Sequence, residues 1–252
     1  MESTQQKIQL RPLWLKLCPN VLVLLGIVFL FLTWFRYFGT VGGGPGQMIM
    51  LGFLLMWFVP LLLLSKAGRK EVGLTLPKRS GWILWAPVVG LVCSFVCYGL
   101  GVLLYGSSGQ HWFQSVAASF FEDERVLQMP LNALFLMFTI PAMTFSPIGE
   151  EILFRGCLQT AVEKQRGIVA GVGLSAFLFA TVHLLHHGIV ADEAGLKIYW
   201  VSGFLWWLLM IGTSVAFSWL RIKYQSLIPA IIGHSFYNLG MNFTIFYLLL
   251  EK

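Results

Sequence analysis

Apolar stretches of about 20 residues, separated by short polar connections, follow one another along the whole chain. About 20 apolar residues in a helix cross the roughly 30 Å hydrocarbon core of a bilayer. The helical pattern of the fourth stretch continues past Pro147 to Glu163. The pattern therefore predicts an all-α, polytopic transmembrane helix bundle of seven or eight spans, in a single integral-membrane domain over residues 1–252. Seven spans can be assigned, at 19–38, 47–65, 82–105, 127–147, 168–187, 198–220 and 227–250.

The composition agrees with a chain that is solvated mainly by lipid. Of its 252 residues, 57% are hydrophobic and only 11% are charged, and the mean hydropathy is +0.76. Soluble domains carry about 25% charged residues, so these values exclude a soluble, disordered or coiled-coil protein. The four cysteines lie in or beside apolar stretches without paired spacing, which argues against a disulfide framework or a zinc ribbon.

Most basic residues lie on one side of the predicted membrane. With the amino terminus in the cytoplasm, that side holds twelve Lys and Arg residues, and the opposite side keeps Arg36, Arg125, Lys197 and Lys252. This is the positive-inside distribution, so we predict a cytoplasmic amino terminus. It also explains the net charge of +6 without nucleic acid as a partner. The longest polar stretch, 106–125, contains several aromatic residues and is interpreted as an amphipathic segment at the interface.

Three groups of polar residues lie inside the apolar stretches. A charge at this depth costs about 2.5–3.5 kcal/mol on insertion scales, so each group needs a structural or chemical reason. The groups are Glu150-Glu151-x-x-x-Arg155, Phe179-x-x-x-His183 and His234-x-x-x-Asn238.

In the first group, helical spacing separates the two carboxylates. Glu151 and Arg155 are four positions apart with the acid first, which is the favourable order for an ion pair on one helix face. Glu150 lies about 100° around the helix from Glu151. We therefore expect Arg155 to neutralise Glu151 and to leave Glu150 free as a general base or acid. The alternative is that both glutamates bind Arg155 and only brace the helices.

The polar turn at 163–167 places His183 level with Glu150. Glu150 precedes the centre of this turn, Arg166, by 16 residues, and His183 follows it by 17. In an antiparallel helical hairpin both residues then lie about 24 Å from the tip. The two side chains are therefore predicted to meet within the membrane.

His234 and Asn238 are four positions apart and share one face of the last helix. Two neutral donors on one face can stabilise an oxyanion, but Asn and His also join helices in membrane bundles. His234 lies only about ten residues after the preceding loop. For the three groups to meet, either the fourth and fifth helices extend further into the cytoplasm or the last helix is displaced. His186 and His187 are interpreted as residues of the outer interface.

Common hydrolase motifs are absent from the sequence. It contains neither His-Glu-x-x-His nor Gly-x-Ser-x-Gly, which mark zinc proteases and serine hydrolases. Asp123 and Asp192 both lie in loops, so an intramembrane aspartyl pair is excluded.

Together and in this order, the three motifs resemble those of the type II CAAX prenyl endopeptidases and their prokaryotic relatives, the CAAX-protease and bacteriocin-processing (Abi) family. The resemblance covers residues 141–242, and the first 125 residues fit only as generic spans. It implies that Glu150 and His183 activate a water molecule that attacks the scissile carbonyl. It also implies that His234 and Asn238 stabilise the oxyanion of the tetrahedral intermediate.

The resemblance further implies residues that support the site. Glu151 and Arg155 would order it, and Phe179 would pack beside it. We favour a mechanism that requires no metal. The alternative is a divalent ion such as zinc, for which the suitable ligands would be Glu150, His183 and His234.

The leading hypothesis is an intramembrane endopeptidase that cleaves a membrane-associated or lipidated peptide or protein, with this substrate and the lipid bilayer as partners. Short loops and the lack of eukaryotic targeting signals favour a bacterial plasma membrane. One alternative is a non-catalytic bacteriocin-immunity or scaffold protein, against which the four costly polar groups argue. Another is an ion-coupled transporter, but no repeated halves are visible in the sequence.

Overall fold

The computed structural model of the chain describes residues 8–120, 128–192 and 195–250. Most of these residues are helical. Among the described residues, four helices are long and apolar enough to cross a membrane, and two apolar helices, Gln47–Leu63 and Ile168–His183, are shorter. The helical fold and its membrane character are confirmed, whereas the number of spans and the side of the amino terminus stay predictions. The four long helices are Val21–Thr40, Trp82–Tyr105, Leu131–Arg166 and Trp200–Tyr224.

The elements of the described residues follow the predicted order of apolar stretches, with one small hairpin before the sixth. The strands β1 (Ile189–Asp192) and β2 (Gly195–Ile198) pair antiparallel, with Ile189 opposite Ile198. Two π-helical segments, Glu151–Leu158 and Ile245–Leu249, continue α-helices. The α-helices are α1 (Pro12–Leu17), α2 (Val21–Thr40), α3 (Gln47–Leu63), α4 (Lys66–Glu71), α5 (Trp82–Tyr105), α6 (Trp112–Ala118), α7 (Leu131–Glu150), α8 (Gln159–Arg166), α9 (Ile168–His183), α10 (Trp200–Tyr224) and α11 (Ile228–Thr244).

The fourth predicted span belongs to one continuous helical segment, Leu131–Arg166, as the sequence pattern indicates. It consists of α7, the π-helical segment Glu151–Leu158 and α8. Short π-helical segments inside α-helices are rare and occur frequently at functional sites. Gly167, with φ of 87°, ends α8 in a conformation that favours glycine and lets the chain return as α9.

Of the segment interpreted as interfacial, the structure describes residues 106–120: residues 106–110 are exposed, and the aromatic side chains of α6 that follow are buried in the protein. The position of the segment at the membrane interface stays a prediction. Trp112 and Phe113 in α6 are fully buried, and Trp112 stacks on Trp206 of α10 with 6.0 Å between the ring centroids. The large aromatic side chains of α6 therefore pack inside the protein, although polar residues adjoin them in the sequence. Residues 121–127, and with them Arg125, lie outside the described residues, as does Lys252.

Helix α11 packs between α5, α7 and α10. Its approach to α5 depends on glycine, because a Cβ atom placed at Gly90 would lie only 2.0 Å from the carbonyl oxygen of Gly233. Contact through small residues lets the backbones of membrane helices approach closely. This packing holds α11 inside the bundle, next to α7.

Candidate active site

A cavity of about 320 Å³ brings the three polar groups together. Glu150 at the end of α7, His183 at the end of α9, and His234 and Asn238 on α11 all line it. Apolar and aromatic side chains form most of the remaining wall. The predicted convergence of the three groups is therefore confirmed.

Glu150 lies between the two histidines. Its side chain is buried, and its Oε2 atom lies 3.8 Å from Nε2 of His183 and 3.8 Å from Nε2 of His234. Oε2 has no hydrogen-bond partner among the described residues. Three polar atoms from three helices thus face the same small space.

The second nitrogen of each imidazole ring indicates where the ring proton lies. Nδ1 of His183 donates to the carbonyl oxygen of Phe179 at 2.7 Å, because a carbonyl can only accept. Nδ1 of His234 donates to Oε1 of Glu151 at 2.9 Å. In the neutral rings both Nε2 atoms are therefore acceptors, and neither can donate to Glu150.

A water molecule fits the needs of Glu150 Oε2 and His183 Nε2. Their separation of 3.8 Å is too long for a direct hydrogen bond. It is short enough for one water to lie beside them, at about 2.8 Å from each. Water can donate one proton to each acceptor, and its lone pairs then face the cavity. The separation suits one bridging water, but Oε2 is buried, so both the room for this water and its catalytic use stay predictions.

The second carboxylate connects two other groups of the site. Glu151 and Arg155 form the ion pair that their spacing predicts, with 3.0 Å between Oε1 and Nη1, and both side chains are buried. The same Oε1 accepts the proton of His234 Nδ1. The guanidinium of Arg155 lies 4.1 Å from the ring centroid of Phe179, whose ring in turn packs 4.2 Å from that of His183. Glu151, Arg155 and Phe179 therefore hold both histidines in place.

Glu150 is not free, which corrects the expectation from helical spacing. Its Oε1 accepts a hydrogen bond from Nη2 of Arg36, and the two side chains form a buried ion pair. The charge count places Arg36 on the side of the membrane opposite to the amino terminus, and the structure shows it buried, with an exposed fraction of only 3%. The sequence shows an isolated arginine before a glycine-rich connection, and its partner lies 114 positions away. Local spacing therefore cannot reveal this pair.

The start of α11 lies closer to the site than the turn at 163–167, which is the tip of the hairpin formed by α8 and α9. This offset explains how the motifs meet. A Cβ atom placed at Gly156 would lie 3.1 Å from Cδ1 of Leu227, so the start of α11 is level with Gly156 rather than with the turn at 163–167. Glu150 lies six residues from this contact and His234 lies seven, which puts each about 10 Å along its helix. The hairpin extends beyond the start of the last helix, and how far it reaches into the cytoplasm stays a prediction.

Two side chains of α11 bind carbonyl groups near Pro147. Because proline has no N–H group, the carbonyl of Met143 lacks its helical donor. Ser235 Oγ donates to this oxygen at 2.6 Å, and Asn238 Nδ2 donates to the carbonyl of Ala142 at 2.7 Å. An amide carries two N–H groups. Asn238 uses one N–H group to join α11 to α7, as expected if Asn and His join helices. Its second N–H group can donate to a ligand.

His187, interpreted from the sequence as a residue of the outer interface, packs inside the protein. Its side chain is fully buried, and its ring nitrogens lie 2.7 Å from Ser115 Oγ and 3.0 Å from Ser202 Oγ. It joins α6, the turn after α9 and α10. His186 lines the cavity instead of the outer surface. Both positions depend on packing between distant elements, which the sequence pattern does not contain.

The three ligands of the zinc alternative converge, but they do not form a metal site. Within the described ranges, no group of three or more His, Cys, Asp or Glu residues could hold a metal ion. The guanidinium of Arg36 also contacts the carboxylate of Glu150, and a cation there repels a divalent ion. We therefore derive no catalytic step through a metal.

Residues 132–240 match the family model of the Rce1-like type II CAAX prenyl endopeptidases. Searches of curated proteins and of solved structures found no match. The matched segment contains all three motifs and excludes Arg36. The resemblance drawn from the motifs is confirmed: over residues 132–240 the chain is similar to the Rce1-like type II CAAX prenyl endopeptidases, a family of membrane proteases.

Proposed function

We propose that this protein is an intramembrane endopeptidase that cleaves a membrane-associated or lipidated peptide or protein. The observation that carries the proposal is the pair of acceptors, Glu150 Oε2 and His183 Nε2, which lie 3.8 Å apart at the wall of an apolar cavity. A water held between them directs its lone pairs to the place where a peptide carbonyl would bind. The similarity to a protease family supports the same activity.

The proposed reaction assigns one role to each polar group. As the water oxygen attacks the carbonyl carbon, one of its protons passes to Glu150, and His183 keeps the water oriented. The second N–H group of Asn238 donates to the oxyanion. When the tetrahedral intermediate collapses, the C–N bond breaks and Glu150 returns its proton to the leaving nitrogen. The products are a carboxylic acid and an amine.

His234 has a different role from the neutral donor that its position suggests. While Nδ1 donates to Glu151, the neutral ring presents only an acceptor to the cavity. We therefore propose that Asn238 is the donor to the oxyanion, and that His234, whose ring Glu151 orients, presents an acceptor to the cavity.

The charges of the site balance when both histidines are neutral. Glu150 pairs with Arg36, and Glu151 pairs with Arg155. Paired charges can persist in a buried site, whereas an unpaired one is strongly destabilising. Protonation of Glu150 during the reaction disturbs this balance, and transfer of the proton to the amine restores it.

The lining of the cavity favours an apolar substrate. Residues from α3, α6, α7, α10 and α11 contribute aromatic, methionine and aliphatic side chains to it. We propose that apolar residues or a lipid group flank the scissile bond, and that the protein acts in a bacterial plasma membrane. The apolar part of the lining includes Ile49, Met50, Phe53, Phe138, Phe145, Trp206, Met210, Phe217 and Met241.

Removal of metal ions is expected to leave cleavage unchanged. The carboxylate of Glu150 is already paired with a cation, Arg36. In the proposed mechanism Glu150 and His183 activate the water, and no metal ion is required. The measurement compares cleavage before and after exhaustive chelation, with elemental analysis of the purified protein. Activity that is lost on chelation and restored by zinc would contradict the metal-free mechanism.

A cleavage assay with a panel of membrane-anchored peptides, with and without lipid groups, tests the proposed function. Mass spectrometry of the products is expected to show internal cleavage by the wild type and none by Glu150→Ala. Peptides that bind both proteins without being cut would instead favour the immunity or scaffold alternative. Equal cleavage by both proteins would exclude Glu150 as the base.

A further inference from the structure

Arg36 contacts two residues of the active-site cavity, Glu150 and Phe53, although it comes from the first long helix and does not itself line the cavity. It lies in the last part of α2, is 3% exposed, and donates from Nη2 to Oε1 of Glu150. Its Nη1 has no hydrogen-bond partner among the described residues. Its guanidinium also lies 5.2 Å from the ring centroid of Phe53, which lines the cavity.

Close helix contacts fix the position of Arg36. In α3, a Cβ atom placed at Gly52 would lie 3.1 Å from Cβ of Phe35, the residue before Arg36. In α7, a Cβ atom placed at Gly149 would lie 2.7 Å from the carbonyl oxygen of Phe53. Both glycines let backbones approach, so α2 and α3 pack as a pair against the helix end that carries Glu150.

The contact with Arg36 determines which oxygen of Glu150 faces the water. A carboxylate has two equivalent oxygens, and an unrestrained side chain can exchange them. Because Arg36 binds Oε1, Oε2 is the oxygen that lies between the two histidines. The guanidinium also favours the ionised carboxylate, which is the form that can accept a proton from water.

We propose that Arg36 is a positioning residue of the endopeptidase site, which holds Glu150 in the orientation that leaves Oε2 for the water. The inference rests on the proposed function of Glu150. It adds that the α2–α3 pair, outside the segment 132–240 that matches the protease family, is part of the functional unit.

The experiment measures kcat and KM of Arg36→Gln and Arg36→Lys with a cleaved peptide from the panel. For Arg36→Gln, kcat is expected to fall by about 100-fold with little change in KM, because a base displaced by about 1 Å costs about this factor. Arg36→Lys keeps the charge but not the planar guanidinium, and is expected to recover about tenfold of the loss. A purely structural role would not produce this recovery in kcat.

Arg221→Gln is the matched control. Arg221 is also largely buried and paired, at 2.7 Å from Glu163 and 2.6 Å from Thr160, but neither partner lines the cavity. It is expected to keep the wild-type kcat. Wild-type kcat in Arg36→Gln, a change in KM alone, or no recovery in Arg36→Lys would overturn the inference. If these results occur while Glu150→Gln is inactive, the proposed function stands and only the role of Arg36 falls.

The thermal stability of a double variant tests the pairing without an activity assay. Glu150→Gln leaves the guanidinium of Arg36 buried without a counter-charge, and Arg36→Gln removes that cation. The double variant Arg36→Gln/Glu150→Gln is therefore expected to melt at a higher temperature than Glu150→Gln. If Arg36→Gln alone does not fold, the melting temperatures of the double variant and Glu150→Gln, together with the kcat of Arg36→Lys, test the role of Arg36. A double variant that melts lower than Glu150→Gln would contradict the pairing.

Discussion

Replacing Glu150 by glutamine is expected to lower kcat for peptide cleavage by roughly 10²- to 10⁴-fold, the range that a general base contributes. The amide keeps the shape of the side chain, but it cannot accept the proton of the water that lies against Oε2 in the proposed mechanism. Cleavage of a peptide by purified protein in lipid vesicles measures the effect. Wild-type activity in this variant would contradict the assignment of Glu150 as the base.

The same substitution is expected to lower the stability of the protein as well. The ion pair with Arg36 is buried, and removal of one partner of a buried pair costs about 3–5 kcal/mol. Glu71→Gln is a matched control, because Glu71 pairs with Lys164 at 3.0 Å with about a fifth of each side chain exposed. The control is expected to keep both activity and melting temperature close to those of the wild type.

Local spacing was sufficient to predict part of the site. The ion pair of Glu151 with Arg155 depends only on helical periodicity, which brings residues four positions apart onto one face. The meeting of Glu150 and His183 depends on counting residues from one tight turn, and the two helices are adjacent in the chain. Such short-range geometry depends little on how the rest of the chain folds. Both predicted contacts are confirmed.

Contacts between distant segments could not be predicted in this way. The sequence gives no sign that Arg36 reaches Glu150, because α2 and α7 are brought together by packing through α3. The burial of His187 likewise depends on Ser115 and Ser202, which come from two other helices. In both cases the residue looks like one that faces an interface, and only tertiary packing shows its partner.

The fold was predictable in its class but not in all its details. Hydrophobic composition and stretch length predict a helical membrane bundle, because lipid leaves no alternative hydrogen-bond partner for the backbone. The same measures do not predict the hairpin β1–β2, which is too short to change the hydropathy of its neighbours. They also do not predict the π-helical segment after Glu150, since its sequence carries the same apolar pattern as an α-helix.

Replacing Glu151 by glutamine is expected to destabilise the protein more than Glu150→Gln does, because Glu151 binds both Arg155 and His234. Its Oε1 lies 3.0 Å from Arg155 and 2.9 Å from the donor nitrogen of His234. The substitution leaves Arg155 buried without a counter-charge, at a cost of about 3–5 kcal/mol. It also removes the acceptor that fixes the ring proton of His234. The melting temperature in detergent, compared with that of the wild type, measures the loss.

Two further variants separate the charge effect of Glu151→Gln from a general loss of packing. Glu71→Gln breaks the partly exposed pair with Lys164, and such pairs contribute about 0–1 kcal/mol, so little change is expected. The double variant Glu151→Gln/Arg155→Gln removes both charges and is expected to melt at a higher temperature than Glu151→Gln. If Glu151→Gln has the melting temperature of the wild type, the buried carboxylate does not stabilise Arg155. The role of Glu151 in holding Arg155 and His234 would then be wrong, whereas the assignment of Glu150 as the base depends on the activity of Glu150→Gln.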